Sequence, residues 1–296
     1  MKELVVISGK GGTGKTSVVA SFAALAKRPV LADCDVDAAD LHLVLKPEVR
    51  RREPFIGGSK ARIKSGYCVA CGKCEELCRF DAIFFDGPGN GRVLKTFRVD
   101  PIACEGCGVC ARFCAEEAIE FTPAITGQWY ISTTRHGTLV HAKLNAGGEN
   151  SGKLVTLVRT TAREIAEKEG TGLIISDGSP GIGCPVIASV TASDLVLAVA
   201  EPTLSGRHDL ERVIQLVRHF GIPMMVVVNK WDINEEMTRA IEELSVHCEV
   251  EVAGRIRYDR AVTEAMIRGS STVEYSDSAA AKDITAVWKK VQLRLG

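Results

Sequence analysis

The chain carries no excess charge of either sign: 37 Lys and Arg stand against 37 Asp and Glu in 296 residues. No long basic run occurs, so bulk electrostatics offer nothing to grip a nucleic acid, and no nucleic-acid partner is expected. No apolar stretch reaches the roughly 18 residues that a membrane span needs. The segment Met1-Lys2-Glu3-Leu4-Val5-Val6-Ile7-Ser8 runs straight into a glycine-rich loop. It leaves no room for a secretory leader, and a cytoplasmic protein is expected. What the sequence has in excess is cysteine, 11 residues in all. An odd count with metal-like spacing points to thiolate ligands rather than disulfides.

Eight of the eleven cysteines form two copies of one pattern. Cys68, Cys71, Cys74 and Cys78 read C-x2-C-x2-C-x3-C, and Cys104, Cys107, Cys110 and Cys114 repeat it 36 positions later. The same shift superposes Ala82 on Ala118, Ile83 on Ile119 and Phe85 on Phe121. Two half-modules are expected, each with a cysteine loop, a short helix and a strand. Gly87-Pro88-Gly89-Asn90-Gly91 reads as a turn in a hairpin between them. The spacing resembles that of bacterial ferredoxins with two [4Fe–4S] clusters. In those proteins the fourth cysteine of each run serves the other cluster. The resemblance therefore implies that Cys68, Cys71, Cys74 and Cys114 hold one cluster and Cys104, Cys107, Cys110 and Cys78 the other. Structural zinc is the rival, but zinc sites usually pair two well-separated C-x2-C knuckles. One departure stands out: Arg79 and Ala115 occupy the places where ferredoxins usually carry proline.

Upstream, Gly9-Lys10-Gly11-Gly12-Thr13-Gly14-Lys15-Thr16 matches the P-loop pattern between an apolar run and a helical stretch. Backbone N–H groups from Gly9 through Ser17 would wrap the phosphates, Lys15 would reach the β/γ-phosphates and Thr16 would hold Mg²⁺. The second lysine, Lys10, makes the loop resemble the deviant P-loop of the MinD/Mrp superfamily of ATPases, to which ParA and the nitrogenase iron protein also belong. That resemblance implies that Lys10 reaches a partner's nucleotide in a nucleotide-dependent homodimer, or in a heterodimer with a paralogue. It also implies that Asp35 orients the attacking water, with Asp33, Asp37 and Asp40 as alternatives. Asp177 would hold Mg²⁺ through water, and Gly181 would offer its N–H to the γ-phosphate. Asn229 in Asn229-Lys230-Trp231-Asp232 would contact adenine, although N-K-x-D also reads guanine in GTPases. ATP is expected, with GTP the lesser alternative. Cys184, in the segment after Asp177, matches a cluster-ligating position of the nitrogenase iron protein. It is either a transient cluster ligand or an ordinary packing residue, as Cys34 and Cys248 are expected to be.

The expected architecture is α/β: a P-loop NTPase with a mostly parallel sheet and helices on both faces, interrupted by a small α+β ferredoxin-like domain. Residues 1–55 and 126–296 would form the ATPase and 56–125 the insert. Strands are expected at Leu4–Ile7, Val30–Asp33, Leu173–Asp177, Asp194–Ala200, Met224–Asn229 and Val250–Ile256. Helices are expected at Thr16–Ala26, Lys153–Lys168, Arg207–Phe220 and Glu235–Leu244. The stretch from Trp129 to Lys153, with Arg135, His136, His141, Glu149 and Asn150, reads as a polar linker. Ile284, Val287, Trp288, Val291 and Leu295 form an apolar stripe beside Lys289, Lys290 and Arg294. Such a stripe either docks on the core or lies on a membrane.

Three functions compete. The first is an ATPase that couples nucleotide state to electron transfer or iron–sulfur maturation, acting on a redox or iron–sulfur client. The second is a positioning or cell-division ATPase of the MinD kind that uses clusters as a sensor. The third is a plain ferredoxin-type electron carrier.

Overall fold

The computed structural model describes residues 1–145, 148 and 151–296, so Glu149 and Asn150 lie outside the described residues. The strands are β1 (Lys2–Ser8), β2 (Val30–Asp33), β3 (Glu48–Ile63), β4 (Ile83–Gly87), β5 (Thr96–Val99), β6 (Ile119–Thr133), β7 (Thr138–Leu144), β8 (Leu173–Pro180), β9 (Leu195–Ala200), β10 (Met224–Asn229) and β11 (Glu251–Ile256). The helices are α1 (Lys15–Leu25), α2 (Leu41–Leu45), α3 (Lys73–Glu76), α4 (Val109–Arg112), α5 (Ser151–Glu169), α6 (Cys184–Val190), α7 (Leu204–His219), α8 (Glu235–His247), α9 (Arg260–Arg268), α10 (Thr272–Tyr275) and α11 (Ala279–Leu295).

The chain separates into two compact units. The first comprises Met1–Glu53, Trp129–Lys143 and Ser151–Gly296; the second comprises Pro54–Gln128 and Leu144–Asn150. Strands β3 and β6 carry the chain between them.

The first unit is a mostly parallel α/β structure. The main sheet runs β11-β10-β9-β1-β8-β2-β7-β6-β3, with every pairing from β11 to β7 parallel. Central strands are apolar without alternation because both faces are covered. Leu4 and Val6 join one core cluster with Phe22, Leu31 and Trp288, whereas Val5 and Ile7 join another with Val186, Leu210 and Ile214. The stripe on α11 belongs to the first cluster. Ile284, Val287, Trp288 and Val291 are at most 3% exposed, and the Trp288 ring lies 4.7 Å from Phe22. Docking therefore accounts for the stripe, and it is not available to a membrane. Trp288→Ala is expected to cost about 3–5 kcal/mol of stability, measurable by denaturant unfolding.

The Trp129–Lys153 stretch is not a linker. It holds the end of β6, all of β7 and the start of α5. His141 lies within the sheet, with the Ser132 hydroxyl 2.9 Å from its Nε2, and it stacks on Tyr130 and His42. Burial, with a smaller contribution from His42, lowers the His141 pKa from 6.5 to about 4. The folded state thus disfavours the proton that the unfolded chain accepts. Its contribution is present above the unfolded value and is lost as the pH falls from about 6.5 to about 4. On the order of 3 kcal/mol is at stake. His141→Phe should flatten that part of the stability–pH curve.

The second unit has its own small core around Cys68, Ile83, Phe97 and Ala118, and around Ala61, Ala82 and Cys104. The β4–β5 hairpin is antiparallel. The sequence repeat extends to the backbone. Shifted by 36, α3 falls on α4, and Ala70, Gly72 and Asp81 fall on Gly106, Gly108 and Glu117. All six have positive φ, from 49° to 81°. Three left-handed residues per half fix the cysteine loop and the turn that follows it. Strand β6 passes straight through Pro123. Proline forfeits a single N–H donor and otherwise tolerates extended backbone.

Candidate functional site

In the first unit, β1 delivers the chain into the glycine loop, and α1 begins at Lys15. Gly12 and Gly14 have φ of 81° and 91°, the left-handed region that side chains resist. Gly14 is doubly constrained, because a Cβ there would sit 2.4 Å from the Asn229 amide nitrogen. Open space adjoins Gly11 and Gly12. The positive end of α1 thus faces an accessible, side-chain-free loop, which is a ready anion site.

Carboxylates from β8 and from the loop after β2 converge on Lys15. Its Nζ lies 2.6 Å from Asp177 Oδ1 and 3.5 Å from Asp35 Oδ2. The Thr16 hydroxyl donates to Asp177 Oδ2 at 2.8 Å. Burial works against the charge on Lys15, but Asp177 and Asp35 outweigh it and hold its pKa above the ordinary lysine value. Burial raises the Asp35 pKa, tempered by Lys15. Asp33 is fully buried, and burial followed by repulsion from Asp177 pushes it well above the carboxylate range. Asp33 accepts the N–H groups of Asp35 and Leu41, so it shapes the loop after β2 and stands back from the pocket mouth. Asp37 and Asp40 are exposed. The charge of Lys15 thus faces the carboxyl groups of Asp177, Asp35 and Asp33. Among the described residues no three His, Cys, Asp or Glu side chains group closely enough to hold an ion alone. Mg²⁺ bound with a nucleotide keeps several waters and leans on one or two protein oxygens plus phosphates.

Other predicted residues are engaged elsewhere. The Gly181 N–H donates to the Ser8 carbonyl at 2.8 Å, so it would have to turn to meet a phosphate. The Ser17 hydroxyl points to Met266 Sδ at 3.1 Å. The Asn229 amide donates to the Thr13 carbonyl at 2.6 Å, and its oxygen accepts the Lys230 N–H. Asn229 thus braces the phosphate loop in this state. The Asp232 carboxylate accepts the Tyr258 N–H at 2.7 Å. That ties it into a turn and speaks against guanine recognition. Lys10 lies 3.3 Å from Glu201 and 3.2 Å from the Ser205 hydroxyl. Lys230 holds the other oxygen of Glu201 at 2.7 Å. Burial opposes the charge on Glu201, yet the two lysines keep its pKa below the ordinary value. Glu201 has no motif in sequence and was not anticipated. Only its position at the end of β9 hinted at a role.

In the second unit, Cys68, Cys71, Cys74 and Cys114 line one cavity of about 370 Å³, counted with its open mouth. Cys78, Cys104, Cys107 and Cys110 line another of about 350 Å³. Each cavity takes three cysteines from one run and the fourth from the other. Cys71 and Cys107 are exposed at the mouths. The Asn90 side chain donates to the Cys68 carbonyl at 2.8 Å, and Lys60 donates to that of Cys104. The remaining cysteines lie in the first unit. Cys184 is exposed at the start of α6, Cys34 is fully buried with its thiol pKa raised by burial, and Cys248 is half-buried.

A phosphate loop between β1 and α1, with Asp33 at the end of β2 and Asp177 within β8, defines a P-loop nucleotide-binding protein. The chain belongs to the CobQ/CobB/MinD/ParA nucleotide-binding domain family, whose profile matches residues 4–273. It is 36% identical over 235 residues to MJ0578 of Methanocaldococcus jannaschii, covering 78% of this chain and 79% of that protein. It is 26% identical over 299 residues to MJ0579 of the same organism, covering 94% of each. The cell division ATPase MinD of Pyrococcus furiosus has the same fold, with a TM-score of 0.59, 18% identity and coverage of 99% and 98% of the two chains. Among the described residues no helix is long and apolar enough to cross a membrane.

Proposed function

We propose that the protein binds and hydrolyses ATP with Mg²⁺ and couples its nucleotide state to electron transfer or iron–sulfur maturation through two [4Fe–4S] clusters. The observation that carries this reading is the sorting of eight cysteines into two four-cysteine cavities, each completed by a residue of the opposite run. The donor set fits, with one thiolate for each iron corner. The crossed pairing of two C-x2-C-x2-C-x3-C runs supports a cubane over zinc, whose structural sites usually pair two separate C-x2-C knuckles. Cys68, Cys71, Cys74 and Cys114 would hold one cluster, and Cys104, Cys107, Cys110 and Cys78 the other. Bound there, the clusters supply one-electron chemistry.

On the nucleotide side, Lys15 neutralises the β/γ-phosphates while Thr16 and Asp177 exchange their mutual hydrogen bond for the Mg²⁺ shell. Asp35 orients the water. Lys10 serves a neighbouring subunit, in a dimer with a second copy or with a paralogue. That one organism holds two relatives, MJ0578 and MJ0579, supports the paralogue option. The cysteine unit lies in the chain between β2, which Asp35 follows, and β8, which carries Asp177, and segments of this kind respond to the γ-phosphate in P-loop switches. Anaerobic purification followed by iron counting and EPR, with and without ATP, tests the reading. About eight irons per chain and an ATP-dependent change in the EPR signal are expected. Iron-free, ATP-active protein would overturn it.

The likeness to the cell division ATPase favours a second reading, a positioning ATPase in which the clusters act as sensor or scaffold. Liposome co-sedimentation with ATP separates the two, since with α11 docked the first reading expects no pelleting. A plain electron carrier would have no use for the Lys15–Asp177–Thr16 constellation.

A further inference from the structure

Lys10 is not free in the single chain. Its ammonium sits among Glu201, Ser205 and Thr203, at 3.3, 3.2 and 3.5 Å. Glu201 is itself fixed from behind by Lys230, at 2.7 Å, whose own Nζ lies 3.5 Å from the Gly12 carbonyl. Glu201 follows the last residue of β9 and Lys230 follows the last residue of β10, so both project from rigid strand ends. Thr203 caps α7 by accepting the Gly206 N–H, which fixes the hydroxyl that Lys10 approaches. Ser205 sits in the first turn of the same helix. The cradle is therefore a built acceptor site for the one loop lysine that phosphate chemistry in its own subunit does not need.

We propose that Glu201 is a positioning residue that holds Lys10 on its own subunit, so that dimerisation must first break this contact. The inference rests on the reading that Lys10 acts across a dimer. Releasing Lys10 does not strand a charge, because Lys230 stays on Glu201. Closure of a symmetric pair releases two lysines, so the latch counts twice in the dimer equilibrium. Thr203 and Ser205 contribute less, as neutral acceptors at the limit of hydrogen-bonding distance.

Sedimentation velocity of the anaerobically purified protein, with Mg²⁺ and a non-hydrolysable ATP analogue, tests this. Glu201→Gln is expected to dimerise at a roughly two- to thirtyfold lower protein concentration than the parent, the range that two partly exposed ion pairs give. Glu201→Asp should fall between them, because a shorter carboxylate still attracts Lys10. Lys10→Ala should stay monomeric. If Glu201→Gln dimerises no more readily than the parent while Lys10→Ala is monomeric, the latch is wrong and the reading of Lys10 survives. If Lys10→Ala dimerises like the parent, or the parent stays monomeric with the analogue, the latch falls together with the reading it rests on.

Discussion

Lys15→Met is expected to reduce ATP turnover by a hundredfold or more, on the order found when one preorganised donor to a developing oxyanion is removed. The argument starts from the unliganded site. Lys15 is 6% exposed and sits 2.6 Å from Asp177 and 3.5 Å from Asp35. No other described cation is within ion-pairing reach of Asp177. Removing the ammonium therefore does two things. It takes away the charge that meets the β/γ-phosphates, and it leaves Asp33, Asp35 and Asp177 crowded without their common partner. The second effect should lower stability by about 3–5 kcal/mol, as for other buried pairs broken from one side. It should also make the nucleotide-free variant unusually responsive to Mg²⁺, because a divalent cation can replace the lost charge. Thermal unfolding with and without Mg²⁺, beside a phosphate-release assay, checks both. A variant that hydrolyses ATP at the parental rate would remove Lys15 from the chemistry. One that loses activity without a Mg²⁺-dependent gain in stability would contradict the electrostatic account of the pocket.

The strands and the phosphate loop were legible because their signals are local. Val30–Asp33 and Met224–Asn229 are short apolar runs that end on polar residues, and the structure gives those same limits. The loop is readable because only glycine accepts φ near 81° and 91° without strain. The cysteine repeat was legible twice over, since the 36-residue period also carries Ala82 onto Ala118, Ile83 onto Ile119 and Phe85 onto Phe121.

What stayed hidden depends on contacts distant in sequence. Strand β7 was missed because His141 and Lys143 break its apolar pattern, although His141 is buried beside Ser132. Arg135 looked like a linker charge. It pairs with Glu274, 139 residues away, and donates to the carbonyls of Val44 and Leu45 at the end of α2. The roles of Glu201 and of Lys230 could not be read either. Neither contact with the phosphate loop exists until β9 pairs with β1 and β10 pairs with β9. Gly181 shows the opposite limit. Its motif is plain, but the N–H is spent on Ser8 in this state. A motif gives a residue's destination, not the state in which it is found.

Cys114→Ser and Cys78→Ser are expected to remove different clusters, and each the less obvious one. Cys114 follows Cys104, Cys107 and Cys110 in sequence, yet it lines the cavity of Cys68, Cys71 and Cys74. Cys78 follows the first run yet lines the cavity of Cys104, Cys107 and Cys110. On the proposed ligation, Cys114→Ser should therefore pair with Cys71→Ser, and Cys78→Ser with Cys107→Ser, in the EPR signal that disappears. Each single variant should lose at least the one iron whose thiolate is removed, and about half of the chain's iron where the whole cluster falls out. Cys71 and Cys107 make good comparators, since both are exposed at the cavity mouths and their replacement disturbs packing least. Cys68 and Cys104 do not, because each is only 8% exposed and lies in a core cluster of the second unit. If Cys114→Ser instead shared its lost signal with Cys107→Ser, the runs would each hold their own cluster. The two halves of the unit would then be joined by packing alone, without the crossed thiolates that tie one half to the other.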